Sequence, residues 1–130
     1  MPLSARRVAL FIAATLTTPA LAADPGPAGL PLPLQCYGGE PFWSLTLRDA
    51  KTATFKSDVD DATWTIKTIG NAMLRPTTWR VVFAGTNRRA FIFDEGQHAC
   101  SDSDGDRPFA YGVLVENGEG LLRGCCDPAR

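Results

Sequence analysis

The sequence contains a single histidine, His98, among 130 residues. A metal centre that needs two or more histidines therefore cannot form within one chain. The 13 Lys and Arg residues nearly balance the 14 Asp and Glu residues, and they do not cluster, so the chain lacks the basic surface that nucleic acid requires. The four cysteines include no C-x-x-C pair, which disfavours a zinc site. The length excludes a second large domain.

After the first 22 residues the sequence also lacks an apolar repeat of helical period. Short runs rich in Val, Ile, Thr, Phe and Trp alternate with turn residues, which is typical of strands. We expect strands over 43–47, 52–56, 62–69, 73–75, 77–84, 88–93, 109–116 and 120–126, with turns that include Gly70-Asn71 and Asn117-Gly118. Seven or eight strands joined in sequence predict an all-β fold, a small closed or partly closed antiparallel meander barrel. The segments 57–62 and 94–100 leave room for a short helix.

The first 22 residues have the features of a secretory signal peptide. Arg6 and Arg7 precede an apolar stretch over 8–21, and Ala20-Leu21-Ala22 supplies the small residues of a cleavage site. The apolar stretch is shorter than the roughly 20 residues of a spanning helix and is interrupted by polar residues and a proline. We therefore predict cleavage, a periplasmic or secreted location, and no membrane anchor in the mature protein.

Cleavage after Ala22 would leave 108 residues and change the formal charge from −1 to −3, because it removes two arginines and no acid. Residues 23–35 contain four prolines and two glycines, a composition that predicts an extended linker. The predicted organisation is a signal peptide (1–22), a linker (23–35) and a β-barrel domain (36–130).

Four cysteines in a small exported domain predict two disulfide bonds. Cys125 and Cys126 are neighbours on a predicted strand, so their side chains should point to opposite faces. Each would then pair with Cys36 or Cys100, and either pairing ties the last strand to the start of the domain and to the loop 94–108.

The segment Gly38-Gly39-Glu40-Pro41-Phe42-Trp43-Ser44 allows two interpretations. It can be the start of a strand in which Phe42 and Trp43 fill opposite faces, with Glu40 bound by backbone amides or an arginine. Alternatively, an exposed Trp43 beside the Glu40 carboxylate would anchor a binding partner. The candidate binding residues are Glu40, Trp43, Asp102 and Arg107.

The polar loop that begins at Cys100 carries Asp102, Asp104 and Asp106 at alternate positions. The order of glycine and acids does not fit a Ca²⁺-binding EF-hand loop, so we expect hydrogen-bonded Asp side chains, with Arg107 paired to a carboxylate, and no metal. His98 has no nucleophile placed beside it, and we assign it no role.

Three of these motifs occur together in a known family. Glu40-Pro41-Phe42-Trp43-Ser44, Cys100-Ser101-Asp102 with Asp106-Arg107 and Tyr111, and Gly124-Cys125 resemble, in that order, an uncharacterised family of bacterial envelope proteins. This chain departs from the family's second motif at 103–105. The resemblance implies a small envelope β-barrel, related to META-type domains and to inhibitors of c-type lysozymes. It also implies the disulfide Cys100–Cys125, which leaves Cys36–Cys126.

The resulting functional expectation is a non-enzymatic exported protein without a cofactor, with a binding or structural role in the envelope. Its partner would be an envelope protein or a small apolar ligand. The alternatives are a lysozyme-inhibitor-like protein and a carrier of a small apolar ligand, whose cavity would be lined by Trp64, Trp79, Phe83, Phe91 and Phe93. An enzyme is disfavoured, because Glu40 with Asp102 is the only carboxylate pair to propose for acid–base chemistry.

Overall fold

A computed structural model describes residues 12–16, 26–85, 87–94, 96, 100–101 and 108–129. One turn of 3-10 helix, Pro27–Gly29, precedes the strands. The strands are β1 (Leu34–Gly38), β2 (Trp43–Leu47), β3 (Thr52–Ser57), β4 (Asp61–Leu74), β5 (Thr77–Phe83), β6 (Arg88–Asp94), β7 (Cys100–Ser101), β8 (Pro108–Phe109), β9 (Tyr111–Asn117) and β10 (Leu121–Pro128). None of the helical structure in these ranges is long and apolar enough to cross a bilayer.

Eight of these strands form a closed antiparallel barrel in the order β1-β10-β9-β6-β5-β4-β3-β2. Each strand pairs with its neighbour in sequence, except that the short β7–β8 pair lies within the connection from β6 to β9. Antiparallel pairing of β1 with β10 closes the sheet. The predicted fold class, a small disulfide-bonded meander barrel, is confirmed.

Alternation along the strands fills the barrel interior. In β2 the buried residues are Trp43, Leu45 and Leu47, and the intervening Ser44 and Thr46 are only half-buried. Because side chains of a strand alternate between faces, the apolar set of each strand meets inside. The other fully buried strand residues include Leu34, Cys36, Ala53, Val81, Ala90, Ile92, Val113, Val115 and Cys126.

The predicted turn at Gly70-Asn71 is wrong, because β4 continues through it as a 14-residue strand. Register shifts occur in its pairing with β5, between Ile66 and Thr68 and between Asn71 and Met73. Such irregularities bend a strand without ending it, which lets a long strand follow the wall of a small barrel. The chain reverses instead after Leu74. The segment 57–61 forms a turn between β3 and β4 rather than a helix.

The predicted linker differs from the structure from Gly26 onward. Leu30 is completely buried, and the indole Nε1 of Trp79 donates a hydrogen bond to the carbonyl oxygen of Ala28 (2.9 Å). The first strand, β1, begins at Leu34, within the predicted linker. The prolines prevent a helix but do not prevent packing, and the leucines between them supply apolar surface for the barrel. Residues 26–33 therefore cover one end of the barrel.

Both disulfides join the predicted partners. Cys36 and Cys126 are directly paired residues of β1 and β10, with Cα atoms 4.0 Å apart, and both are fully buried. Cys125 points to the opposite face of β10 and bonds to Cys100 of β7, with Cα atoms 5.6 Å apart. One bridge therefore lies within the barrel, and the other holds the β7–β8 pair against its outer surface.

Candidate functional site

The predicted binding residues do not form one described cluster. Glu40 is exposed in the turn between β1 and β2, where its φ is 51°, and its carboxylate makes no hydrogen bond or ion pair to any of the described residues. Trp43 is 2% exposed and points into the barrel. Asp102 and Arg107 lie outside the described residues, as do His98, Asp104 and Asp106.

The turn before β2 separates its two aromatic residues. Trp43 packs in the core, whereas Phe42 is 56% exposed. The indole of Trp43 fits beside Gly38 and Gly124, where an added Cβ would overlap the ring or approach its Cζ2 atom to 2.8 Å. The exposed aromatic residue of the first motif is thus Phe42, and Trp43 is part of the core packing.

A groove on the outer surface brings the motifs together. Its volume is about 510 Å³, and its walls include Phe42 of the first motif and the Cys100–Cys125 bridge, which joins the second motif to the third. Tyr37 and Phe109 supply further aromatic surface. Two structural contacts hold the three motifs together. The Cys100–Cys125 disulfide joins the second motif to the third, and the close packing of Gly124 against Trp43 joins the third to the first.

The second cavity lies at the end of the barrel opposite residues 26–33, and we call it the mouth. It occupies about 680 Å³ between the ends of the strands, the β3–β4 turn and the β9–β10 turn. The residues lining it are Pro41, Trp43, Phe55, Ser57, Asp58, Val59, Asp60, Trp64, Arg88, Asn117, Glu119, Gly120 and Leu122. Its size lies within the range of about 300–1,000 Å³ that is usual for small-molecule sites.

Four aromatic side chains from consecutive strands form a row at the mouth, which we call the aromatic row: Trp43, Phe55, Trp64 and Phe83. The ring centroids are 6.4 Å apart for Trp43 and Phe55 and 4.6 Å apart for Phe55 and Trp64, which are stacked. Phe83 meets Trp64 edge to face at 5.1 Å. Inward positions of neighbouring strands adjoin each other, so the alternation of the sequence builds this row.

Arg88 covers the aromatic row from the first residue of β6. Its guanidinium carbon lies 5.2 Å from the ring centroid of Trp64, within the range of a cation–π contact. Among the described residues no carboxylate forms an ion pair with Arg88, whereas the neighbouring Arg89 pairs with Glu116 at 2.7 Å on the outer surface. The guanidinium N–H donors of Arg88 therefore remain available at the mouth.

Trp64 has an unsatisfied donor. Trp64 is only 2% exposed, and its Nε1 is shielded from solvent. This nitrogen has no hydrogen-bond partner in the described part of the chain. A buried N–H without an acceptor costs about 1–3 kcal/mol, so such groups are uncommon in folded proteins. Trp64 and Arg88 line the same cavity.

Three exposed acids, Asp58, Asp60 and Glu119, surround this cavity on the two turns. Within the described ranges, no group of three or more His, Cys, Asp or Glu residues is placed to hold a metal ion. The three acids make the rim of the mouth negatively charged, and Arg88 is the one cationic side chain among its described lining residues.

Of the five aromatic residues expected to line a carrier cavity, Trp64 lines the mouth. Trp64 and Phe83 belong to the aromatic row, but Trp79 lies at the covered end of the barrel, where it bonds to Ala28. The buried residues of β6 are Ala90 and Ile92, so Phe91 and Phe93 point outward. Phe93 there covers Gly112 of the adjacent strand.

The sequence reasoning did not identify Phe55, Arg88 or the two turns as parts of a site. Phe55 could have been found, because it alternates with Ala53 in a strand that is adjacent to Trp64. Arg88 gave no signal, since its position over Trp64 depends on which strands adjoin in the closed barrel.

Two pKa shifts are found at the covered end of the barrel. Partial burial raises the pKa of Tyr111, with further contributions from the charges of Asp94 and Asp127. Backbone N–H donors of Lys51 and Thr52, at 2.7 and 2.8 Å from Asp49 Oδ1, lower the pKa of the Asp49 carboxyl. Both groups lie at the end of the barrel that residues 26–33 cover, away from the mouth.

Comparison with protein-family models, curated proteins and solved structures found no match to this chain.

Proposed function

We propose that this chain is an exported, non-enzymatic binding protein whose mouth holds a small, largely apolar ligand. The observation that carries the proposal is a cavity of about 680 Å³ above the aromatic row, at the end of the barrel that residues 26–33 leave free. Eight-stranded barrels have interiors wide enough either to be filled by side chains or to hold one small ligand. Here one end is filled and the other contains the cavity.

Export is supported by the sequence of the first 22 residues and by the two disulfides, which are typical of oxidising compartments. We further propose a periplasmic or secreted location and membership of the envelope family whose motifs the chain resembles. Binding is favoured over catalysis because the charged side chains among the described residues of the mouth are one arginine and three exposed acids, without a histidine or cysteine beside them.

The aromatic row determines the kind of ligand. Trp43, Phe55 and Trp64 are each 2% exposed, so a ligand reaches them by passing Arg88 and the two turns. Aromatic rings favour flat apolar groups, which stack on them. A ring-bearing ligand therefore fits the mouth better than a long flexible chain.

The test is binding of N-phenyl-1-naphthylamine, an uncharged aromatic probe whose fluorescence increases in apolar surroundings. We expect saturable binding of one probe per chain. The variant Gly120→Phe places a ring at the mouth, where open space surrounds the position of a Cβ, and it should abolish binding. The matched control Gly39→Phe adds the same ring at an equally open position outside the mouth and should bind normally. Equal binding by both variants, or no binding by the natural chain, would reject the proposal.

Inhibition of a c-type lysozyme is the competing function implied by the family resemblance. An inhibitor must enter an acidic cleft, and the turns of the mouth instead present Asp58, Asp60 and Glu119. Like charges brought together disfavour such a complex. We therefore expect no inhibition at micromolar concentrations of the purified protein, and clear inhibition there would favour the competing function.

A further inference from the structure

We infer that the ligand of the mouth is a ring-bearing monocarboxylate, whose carboxylate is bound by the Nε1–H of Trp64 and the guanidinium of Arg88. This inference rests on the proposed function and specifies its ligand. It starts from two side chains, Trp64 and Arg88, that line one cavity. The indole N–H of Trp64 has no hydrogen-bond acceptor, and the guanidinium of Arg88 has no ion-pair partner, among the described residues.

The first donor is the indole of Trp64. An indole N–H can only donate, so what it lacks is an acceptor atom. The surrounding residues of the aromatic row, Phe55 and Phe83, offer carbon surface and no acceptor. The acids of the rim are exposed on the turns, and none of them reaches this nitrogen. An oxygen atom of a ligand that passes Arg88 and the two turns to reach the buried edge of Trp64 would satisfy it.

The second donor, the guanidinium of Arg88, is positively charged and therefore favours an anionic acceptor. The Arg88 guanidinium lies 5.2 Å from the centre of the same indole ring, so a group at the edge of Trp64 is within reach of both side chains. Guanidinium forms paired hydrogen bonds with the two oxygens of a carboxylate, and charge-assisted bonds are about twice as strong as neutral ones. A carboxylate therefore fits the two donors better than an amide or an ester carbonyl.

The rim limits the charge of the ligand. Asp58, Asp60 and Glu119 surround the cavity that contains Arg88, and their carboxylates would repel a second negative group that protrudes from the mouth. The aromatic row accepts the ring of the ligand below them. A ligand with one carboxylate on a flat apolar body fits the two donors, the acidic rim and the aromatic row together.

The experiment compares four probes with one ring system by isothermal titration: naphthalene-1-carboxylate, naphthalene-1-carboxamide, 1-naphthylmethylammonium and naphthalene-1,4-dicarboxylate. We expect the monocarboxylate to bind about 10-fold or more tightly than each of the others. Equal affinity for the carboxylate and the amide, or preference for the ammonium or the dicarboxylate, would overturn the inference while leaving the proposed function in place. If none of the four binds while N-phenyl-1-naphthylamine does, the inference alone is rejected, and if that probe does not bind either, both are rejected.

Variants separate the two donors. Arg88→Gln should weaken the carboxylate about 10-fold and leave the amide within about 2-fold. The matched control Arg89→Gln removes the same charge from the neighbouring residue, which pairs with Glu116 outside the mouth, and should leave both affinities unchanged. If both variants weakened carboxylate binding equally, the effect would come from the net charge of the protein, and the assignment of Arg88 as a carboxylate ligand would be wrong.

Trp64→Phe keeps an aromatic ring in the row and removes only the N–H group and part of the ring. It should weaken the carboxylate and the amide alike, by about 5-fold or more, because both present an oxygen to this donor. Unchanged affinities in a variant with a normal circular dichroism spectrum would mean that a buried water satisfies Nε1, and the assignment of Trp64 would be wrong.

Discussion

A Cβ placed on Gly124 of β10 would lie 2.8 Å from Cζ2 of Trp43, so the indole occupies space that only glycine leaves free. Gly38, on the neighbouring strand β1, leaves space for the adjacent part of the same ring, since its Cβ would overlap Nε1 of Trp43. The first and third sequence motifs thus meet inside the barrel wall. Their glycines and their tryptophan form one packing unit, which places the first ring of the aromatic row.

This packing unit predicts opposite results at two adjacent glycines. Gly38→Ala should lower the free energy of unfolding by about 3 kcal/mol, because the added methyl group must displace Trp43. Gly39→Ala should change it by less than about 0.5 kcal/mol, because nothing lies within 4 Å of its Cβ position. Urea denaturation followed by tryptophan fluorescence measures both. Similar losses in the two variants would contradict the packing role assigned to Gly38.

The barrel itself was predictable because its determinants are local. Alternation of apolar residues, as in Trp43, Leu45 and Leu47, is visible in the sequence, and so is the turn signal at Asn117-Gly118. The continuation of β4 through Gly70 was not visible, since a strand can bend at a bulge as well as end at a turn, and only pairing with β5 decides between the two. Proline content likewise concealed the burial of Leu30, because composition describes backbone preferences and not packing.

The candidate site was less predictable, because it depends on contacts between side chains of several strands and two turns. The sequence allowed Trp43 to be either an exposed anchor or part of a strand with Phe42 on the opposite face, and the alternation that places Leu45 and Leu47 inside also places Trp43 there. The contact between Arg88 and Trp64 joins β6 to the first part of β4 across the intervening β5, and it depends on how these strands bend in three dimensions. The missing partner of Trp64 Nε1 is a property of three-dimensional surroundings and has no signature in the chain.

The two disulfides should contribute unequally to stability. Cys36–Cys126 spans a sequence separation of 90 residues, and Cys100–Cys125 spans 25. Loop-closure entropy assigns about 4.6 kcal/mol to the first and about 3.5 kcal/mol to the second. The double variants C36A/C126A and C100A/C125A, compared by urea denaturation, measure the difference. A larger loss on removal of the shorter loop would show that contacts of the β7–β8 pair outweigh the entropy of the chain.

The burial of Leu30 predicts that the segment before β1 stabilises the barrel. Leu30→Ala should lower the free energy of unfolding by about 3 kcal/mol, because it removes apolar contacts from a fully buried side chain. Leu121, which is 63% exposed, is the matched control, and Leu121→Ala should have an effect below about 0.5 kcal/mol. If residues 26–33 were a loose linker, both leucines would behave alike in thermal denaturation.

The pKa of Tyr111 predicts how stability changes at alkaline pH. Burial favours the neutral phenol in the folded chain, and the nearby Asp94 and Asp127 carboxylates act in the same direction, so its pKa is raised above 10.0. The contribution is fully present below the unfolded-state value and is lost as pH rises through the folded-state value, because the unfolded chain ionises first. Tyr37→Phe leaves Tyr111 as the only tyrosine, since the sequence contains two. Titration of tyrosinate absorbance in this variant should give a midpoint above 10.0, and its free energy of unfolding should fall over the same range more steeply than that of Y37F/Y111F. A midpoint at or below 10.0 would mean that water reaches the phenol at the covered end of the barrel.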